Sequence, residues 1–282
     1  MLLAIDVGNT NVAAGVFDAH GVLQAHWRWA SDAGRTADEY GALLAWGLSE
    51  AGLERTSLSG VVLGSVVPAL TTTFSTLAHT YLHRVPLVIN GLVQTGIPLA
   101  VDTPEEVGAD RIANALAVAR LYGTPAVVVD FGTTTNFDVV APDGAFLGGA
   151  FAPGIQTASE SLARRAARLR SVDLRAPGRA IGRNTADCMR AGLLYGYVGL
   201  VEGLLARIAA ELGAQPLVVA TGGLAPLIVA ETKLFDLYDP HLTLRGLRLL
   251  YFLNTQPADE EVGATPAGRA PAARASDRRR SE

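Results

Sequence analysis

The sequence predicts an α/β protein built from two similar halves around a central cleft. The strand-plus-turn AIDVGNTN at residues 4–11 returns, in modified form, as VVDFGTTT at residues 128–135. Each copy opens three strand patterns that are followed by helical ones. Both copies are apolar strands ending in Asp-x-Gly-x-Thr, as an internal duplication would leave them.

The first half opens with strands over 2–6, 12–17 and 21–29, joined by turns at Asn9-Thr10 and Ala19–Gly21, an antiparallel meander. A helix follows from Thr36 to Glu50, because Thr36 and Glu39 form a capping box. Strand 60–66 stops before Pro68, which starts the next helix. Strand 86–89 and a long helix over 104–121 close this half. The second half repeats the plan, with strands 126–130, 135–140 and 145–151 and helices over 155–169 and 184–213. Strand 217–220 leads through Thr221-Gly222-Gly223 into a further helix, and helix 244–253 comes last. The expected division is therefore 1–122, 123–255 and a disordered, Pro/Ala/Arg-rich tail over 256–282.

Composition narrows the function. Hydrophobic residues make up 49% of the 282, enough for two filled cores, and a net charge of −4 gives no reason to expect nucleic acid. No uninterrupted apolar run reaches the ~18 residues that span a bilayer, so no membrane is expected. The chain opens directly on a strand, with no signal peptide expected. A single cysteine, Cys188, excludes an internal disulfide and fits a reducing cytoplasm; a buried structural thiol is its expected role. His79 and His83 share a helix face without an acidic ligand beside them, which favours a surface over zinc. Lys233 is the only lysine, so a Walker A loop is excluded, and no G-x-G-x-x-G follows the first strand.

The repeated turn has a phosphate logic. Asp6 and Asp130 end strands, where a carboxylate can hold a cation or a water. Gly8 and Gly132 let phosphate oxygens approach the backbone, and Thr10, Thr133 and Thr134 can donate to them. Asp-Gly turns also end strands without any ligand, but two copies in one chain favour two cradles facing one nucleotide. In Gly108-Ala109-Asp110-Arg111, Asp110 can act as a general base and Arg111 can hold an anion; a surface Asp–Arg pair is the equally weighted alternative. Gly148–Gly154 and Thr221–Gly223 join strands to helices, where glycines permit close approach. Seven arginines between Arg164 and Arg183 read as a solvated face rather than a nucleic-acid patch.

Together, AIDVGNTN, EEVGADRIANA, VVDFGTTTNFDVV, GGAFAPGI, AIGRNT and ATGGLA resemble, in order, the motifs of the type III pantothenate kinases, over residues 1 to 253. The resemblance implies two ribonuclease-H-like domains of the actin-like ATPase fold around the cleft. It implies ATP-dependent phosphorylation of pantothenate to 4′-phosphopantothenate, the first step of coenzyme A synthesis. Asp6, Val7, Gly8, Asn9, Thr10, Asn11, Val12 and Ala13 would form the first phosphate loop, and Thr133 would contact ATP. Gly108, Ala109, Asp110 and Arg111 would hold pantothenate, with Asp110 as proton acceptor. Asp130 would bind a monovalent cation, K⁺ or NH₄⁺, beside Mg²⁺-ATP. Thr185 would reach the pantothenate site of the other subunit of a homodimer. Asn136 and Val101 depart from the family pattern, which has a hydroxyl and a tyrosine there. A silent regulatory relative of the same fold, or a kinase of another small molecule, are the alternatives.

Overall fold

The computed structural model describes residues 1–90, 93–166, 169 and 171–255. Its strands are β1 (Leu2–Val7), β2 (Asn11–Phe17), β3 (Leu23–Ala30), β4 (Gly60–Ser65), β5 (Leu87–Val88), β6 (Ala126–Phe131), β7 (Thr134–Val140), β8 (Phe146–Pro153), β9 (Leu217–Thr221) and β10 (Leu237–Tyr238). Its helices are α1 (Ala37–Glu50), α2 (Pro68–Leu82), α3 (Ala109–Leu121), α4 (Ile155–Arg165), α5 (Thr185–Leu212), α6 (Ala225–Val229) and α7 (Leu242–Thr255).

The duplication is visible in the sheets. One runs β3-β2-β1-β4-β5 and the other, in the same sense, β8-β7-β6-β9-β10. In each, the first strand pairs antiparallel with the second and parallel with the fourth. β1 and β6 are apolar on both faces because helices cover both sides of each sheet. The turns differ by one residue: Val7 pairs with Val12, but Phe131 pairs with Thr135.

Alternation along the strands builds three cores. Leu3, Ile5 and Val7 face outward onto α1 and α2, and Val127, Val129 and Phe131 face outward onto α4, α5 and α6. Leu2, Ala4, Ala126 and Val128 face inward onto α3 and α7, which fill the space between the sheets. α7 comes last in the chain yet packs against β1, β2 and β4 of the first sheet and along α3.

Several expectations shift. The helix foreseen over 104–121 is interrupted: a 3₁₀ turn spans Pro104–Glu106, Val107 is extended, and α3 begins at Ala109 behind Gly108. β-branched Val107 and the glycine break the helix, so the Gly-Ala-Asp-Arg cluster is a helix start rather than a helix interior. The helix foreseen over 155–169 ends at Arg165, and strand 86–89 shrinks to a two-residue edge. α1 carries its capping box as expected, with Glu39 accepting from the Thr36 backbone at 2.8 Å. His83 is the left-handed cap of α2 and, like His79, is exposed. Cys188 is exposed, contrary to the buried thiol expected, because it lies on the open side of α5's first turns; its thiol points to the Gly182 carbonyl at 3.5 Å. The 28 residues of α5 are long and apolar enough to cross a bilayer by length and composition alone. Leu194, Tyr197, Val201 and Leu205 on one side of it are buried in the second half's core. The tail at 256–282, Arg168 and Arg170 lie outside the described residues.

Candidate active site

The cleft holds a cavity of about 420 Å³ lined by Asp6, Asp110 and Asp130, both glycine-threonine turns, the Thr221–Gly223 turn and β3. Asp6 and Asp130 are the penultimate residues of β1 and β6. Period-two alternation turns them toward the cleft while Val7 and Phe131 turn into the outer cores.

Each turn is closed by a hydrogen bond from its glycine N–H to a carbonyl of the following strand, spanning one residue more in the first turn than in the second. Gly8 N donates to Asn11 O at 3.0 Å, and Gly132 N donates to Thr134 O at 2.9 Å. Ser31 supports the first turn by donating from its hydroxyl to Gly8 O at 2.6 Å. Thr157 Oγ1 and Gly154 N both donate to Thr133 O, at 2.8 and 2.9 Å, and support the second. Gly154 packs so closely on that carbonyl that no Cβ fits there. The turns then meet: Thr10 Oγ1 and Thr133 Oγ1 hydrogen-bond to each other at 2.6 Å.

α3 supplies the third carboxylate. Asp110 lies in its first turn and accepts from the Arg111 N–H at 2.9 Å; a Cβ on Gly108 would stand 2.5 Å from its Oδ1. One helical turn later, buried Asn114 hydrogen-bonds the Asp130 carboxylate and accepts from Thr243 Oγ1 of α7 at 2.8 Å. Burial raises all three carboxyls above the ordinary carboxylate range. At Asp6 the negative charges of Asp110 and Asp130 add to burial and Arg28 opposes. Asp130 is pushed up to about 6 by burial and by Asp110, against Asn114 and Arg28. Asp110 is raised by burial against the Arg111 backbone hydrogen bond and charge.

The foreseen site residues divide cleanly. Asp6, Gly8, Asn9, Thr10, Asn11, Ala13, Asp110, Asp130 and Thr133 all line the cavity. Val7 and Val12 bury their side chains in the outer core and offer only backbone. Ala109 is buried in the central core, and Gly108 acts as the α3 cap. Arg111 turns away from the cavity: its Nε donates to buried Asp138 Oδ1 at 2.6 Å, and its guanidinium lies over the rings of Phe146 at 5.0 Å and Phe151 at 4.5 Å. Thr185 does not reach the cavity of its own chain; it lines a shallow apolar depression between α4 and α5 with Leu162, Cys188 and Met189.

His26, Arg28, His241 and Asn114 were not foreseen. The signal for two of them is the alternation in LQAHWRWA, which puts Trp27 and Trp29 against the outer core and leaves His26 and Arg28 for the other face. His241 and Asn114 come from segments far apart in sequence, and no local pattern marks them.

Among the described residues, no three His, Cys, Asp or Glu side chains converge as a metal cluster. Asp130 nevertheless fits a monovalent ion. It is a buried carboxylate on the cavity wall, with the Gly222 backbone packed so closely on it that a Cβ there would stand 2.5 Å from its Oδ1.

Two like sheets, each offering a carboxylate-ended strand and a glycine turn to one cleft, define a phosphotransferase-type nucleotide site on the actin-like ATPase and sugar-kinase fold. The crystal structure of a putative 2-dehydro-3-deoxygalactonokinase protein from Sinorhizobium meliloti has that fold with a TM-score of 0.56 at 17% identity, over 93% of this chain and 99% of that one. Residues 2–207 match the family described as type III pantothenate kinase. The type III pantothenate kinase of Moorella thermoacetica is 52% identical over 90% of this chain and all of its own length. That of Roseiflexus sp. is 49% identical over 90% of this chain and 99% of its own. The chain belongs to the type III pantothenate kinase family.

Proposed function

We infer that the protein transfers the γ-phosphoryl group of ATP to the primary hydroxyl of pantothenate, giving 4′-phosphopantothenate for coenzyme A synthesis. The observation that carries the reading is Asp110. It is a carboxylate held at a helix start, with its proton affinity raised by burial, opposite two phosphate turns in one cavity. A carboxylate whose proton affinity is raised by burial accepts a hydroxyl proton more readily than an ordinary aspartate.

The residues divide the work. The backbone of residues 6–13 and the hydroxyls of Thr10 and Thr133 cradle the phosphates. Asp110 takes the hydroxyl proton as the oxygen attacks. Gly108, Ala109 and Arg111 form the pantothenate side, where the Phe146 and Phe151 rings and Asp138 fix the Arg111 guanidinium so that its Nη groups can meet a carboxylate. Mg²⁺ with ATP, and K⁺ or NH₄⁺ held by Asp130, supply charge that offsets the triphosphate. The positioning of these groups, rather than covalent chemistry, provides the rate.

In this reading the active unit is a homodimer, and Thr185 serves the partner's pantothenate site. Its exposure at the start of α5, away from its own cavity, supports that role. A reducing, cytoplasmic setting goes with the one exposed free thiol. The halves are taken as 1–122 and 123–255, meeting at the end of α3.

The test is turnover with pantothenate against a panel of sugars and hydroxy acids, in the wild type and in Asp110→Asn. Pantothenate is expected to be the preferred acceptor, and the variant to lose ~10²–10⁴-fold in kcat with its fold intact. Another acceptor winning by a wide margin would assign the site to a different kinase. An Asn variant with near wild-type kcat would remove Asp110 from the base role.

A further inference from the structure

Among the described residues, Arg28 is the only arginine or lysine lining the cavity, which also presents three carboxylates. It projects from β3 of the first half. The Nη1 of its guanidinium lies against Gly223 of the second half, so closely that a Cβ on that glycine would displace it. Its charge is felt by both strand-end carboxylates, Asp6 and Asp130, whereas the charge acting on Asp110 is that of Arg111. Among the described residues, no hydrogen bond or ion pair claims the Arg28 guanidinium. Arg111 is not a substitute, because its Nε is committed to Asp138 outside the cavity.

A triphosphate entering this cavity brings negative charge into a space already holding three acids. One guanidinium spans the two halves there, on the strand-end side rather than on the side of the base. We propose that Arg28 is a catalytic residue for this phosphoryl transfer, binding the non-transferred phosphates of the nucleotide and drawing the second half's Gly222-Gly223 turn onto them. The proposal rests on the kinase reading. As the pantothenate oxygen forms its bond to the γ-phosphorus, the bond from that phosphorus to the β–γ bridging oxygen breaks. The electron pair stays on that oxygen, now part of ADP, and the hydroxyl proton goes to Asp110. Arg28 meets the charge that develops on ADP. A forked, permanently charged guanidinium suits two phosphate oxygens better than a lysine ammonium does.

The test compares Arg28→Gln and Arg28→Lys with wild type, after circular dichroism and thermal melts establish that each is folded. Steady-state kinetics are run against Mg²⁺-ATP and against pantothenate, and calorimetry measures binding of ADP, AMP and adenosine. Arg28→Gln is expected to lose roughly 10²–10³-fold in kcat/KM for ATP, as when one preorganised donor to developing charge is removed. Its KM for pantothenate should stay near wild type. ADP affinity should fall about tenfold while adenosine affinity holds, and Lys should recover part of the loss. Unchanged kcat/KM for ATP would overturn the proposal. So would an equal loss of ADP and adenosine affinity, which would make Arg28 a structural strut. If wild type does not phosphorylate pantothenate, the kinase reading fails by itself, and the ADP-against-adenosine comparison still decides what Arg28 holds.

Discussion

Asp138 shows what burial does to single residues in this protein. It is fully buried, accepts from Arg111 Nε through Oδ1, and has no partner for Oδ2 among the described residues. Burial outweighs the guanidinium and pushes its carboxyl up to about 7. The same sign holds at Asp6, Asp110 and Asp130, so the cleft favours protons or cations over bare carboxylates. For Asp130 the folded value of about 6 exceeds the ordinary 3.8. Its contribution to stability is therefore present in full below 3.8 and is lost as pH rises through about 6. In potassium-free buffer, Tm is expected to fall between about pH 4 and pH 6, and to fall less in Asp130→Asn. Potassium should raise the wild-type Tm more at the upper pH, where the carboxylate is free to bind it. Melts in potassium and sodium at equal ionic strength check this. Identical pH slopes in wild type and variant, with no preference for potassium, would remove Asp130 as the cation ligand.

At the scale of elements, α3 carries the site. One face presents Asp110 and Asn114 to the cleft, while Ile112, Ala115, Leu116 and Val118 are buried in the core between the sheets. Its position is fixed by α7, whose Gly246 sits on the Ala113 backbone with no room for a Cβ and whose Thr243 holds Asn114. Gly246→Ala must push the helices apart. It is expected to cost about 1–3 kcal/mol, as overpacking does, and to lower kcat by displacing Asp110. Urea unfolding and steady-state kinetics measure the two effects. Lost stability with unchanged kcat would show that α7 does not set the position of Asp110 in turnover. The α3 start was legible as a cluster but not as a boundary, because Pro104 and Glu105 signal a helix that Val107 and Gly108 then interrupt. α1 was legible to its cap, since Thr36 and Glu39 satisfy each other within four residues.

At the scale of the whole molecule, each half contributes one glycine-threonine turn to the cavity, and Thr185 lies outside its own chain's cavity. The proposed homodimer predicts complementation. Asp110→Asn and Thr185→Arg chains, each nearly inactive alone, should regain up to about a quarter of wild-type activity after random subunit exchange, because each mixed dimer has one intact site. Activity assays on the mixture, with exchange followed by mass or fluorescence, check it. A mixture that stays inactive while exchange is demonstrated would place the whole site within one chain.

The sequence by itself determined the two-half plan, the strand-turn pairs with Asp6 and Asp130, and the Gly-Ala-Asp-Arg cluster. These are written in local alternation, turn chemistry and self-similarity, which need no long-range contact to be read. Only the tertiary structure decided that Thr10 and Thr133, 123 positions apart, touch. It also decided that α7 returns from the end of the chain to complete the first half's core, that Arg111 turns to Asp138, and that Arg28 crosses the cleft to Gly223. The physical reason is the same in each case. Which side chains face one another across a cleft is set by how two covered sheets pack on shared helices, and that packing is a property of the assembled layers rather than of any one segment.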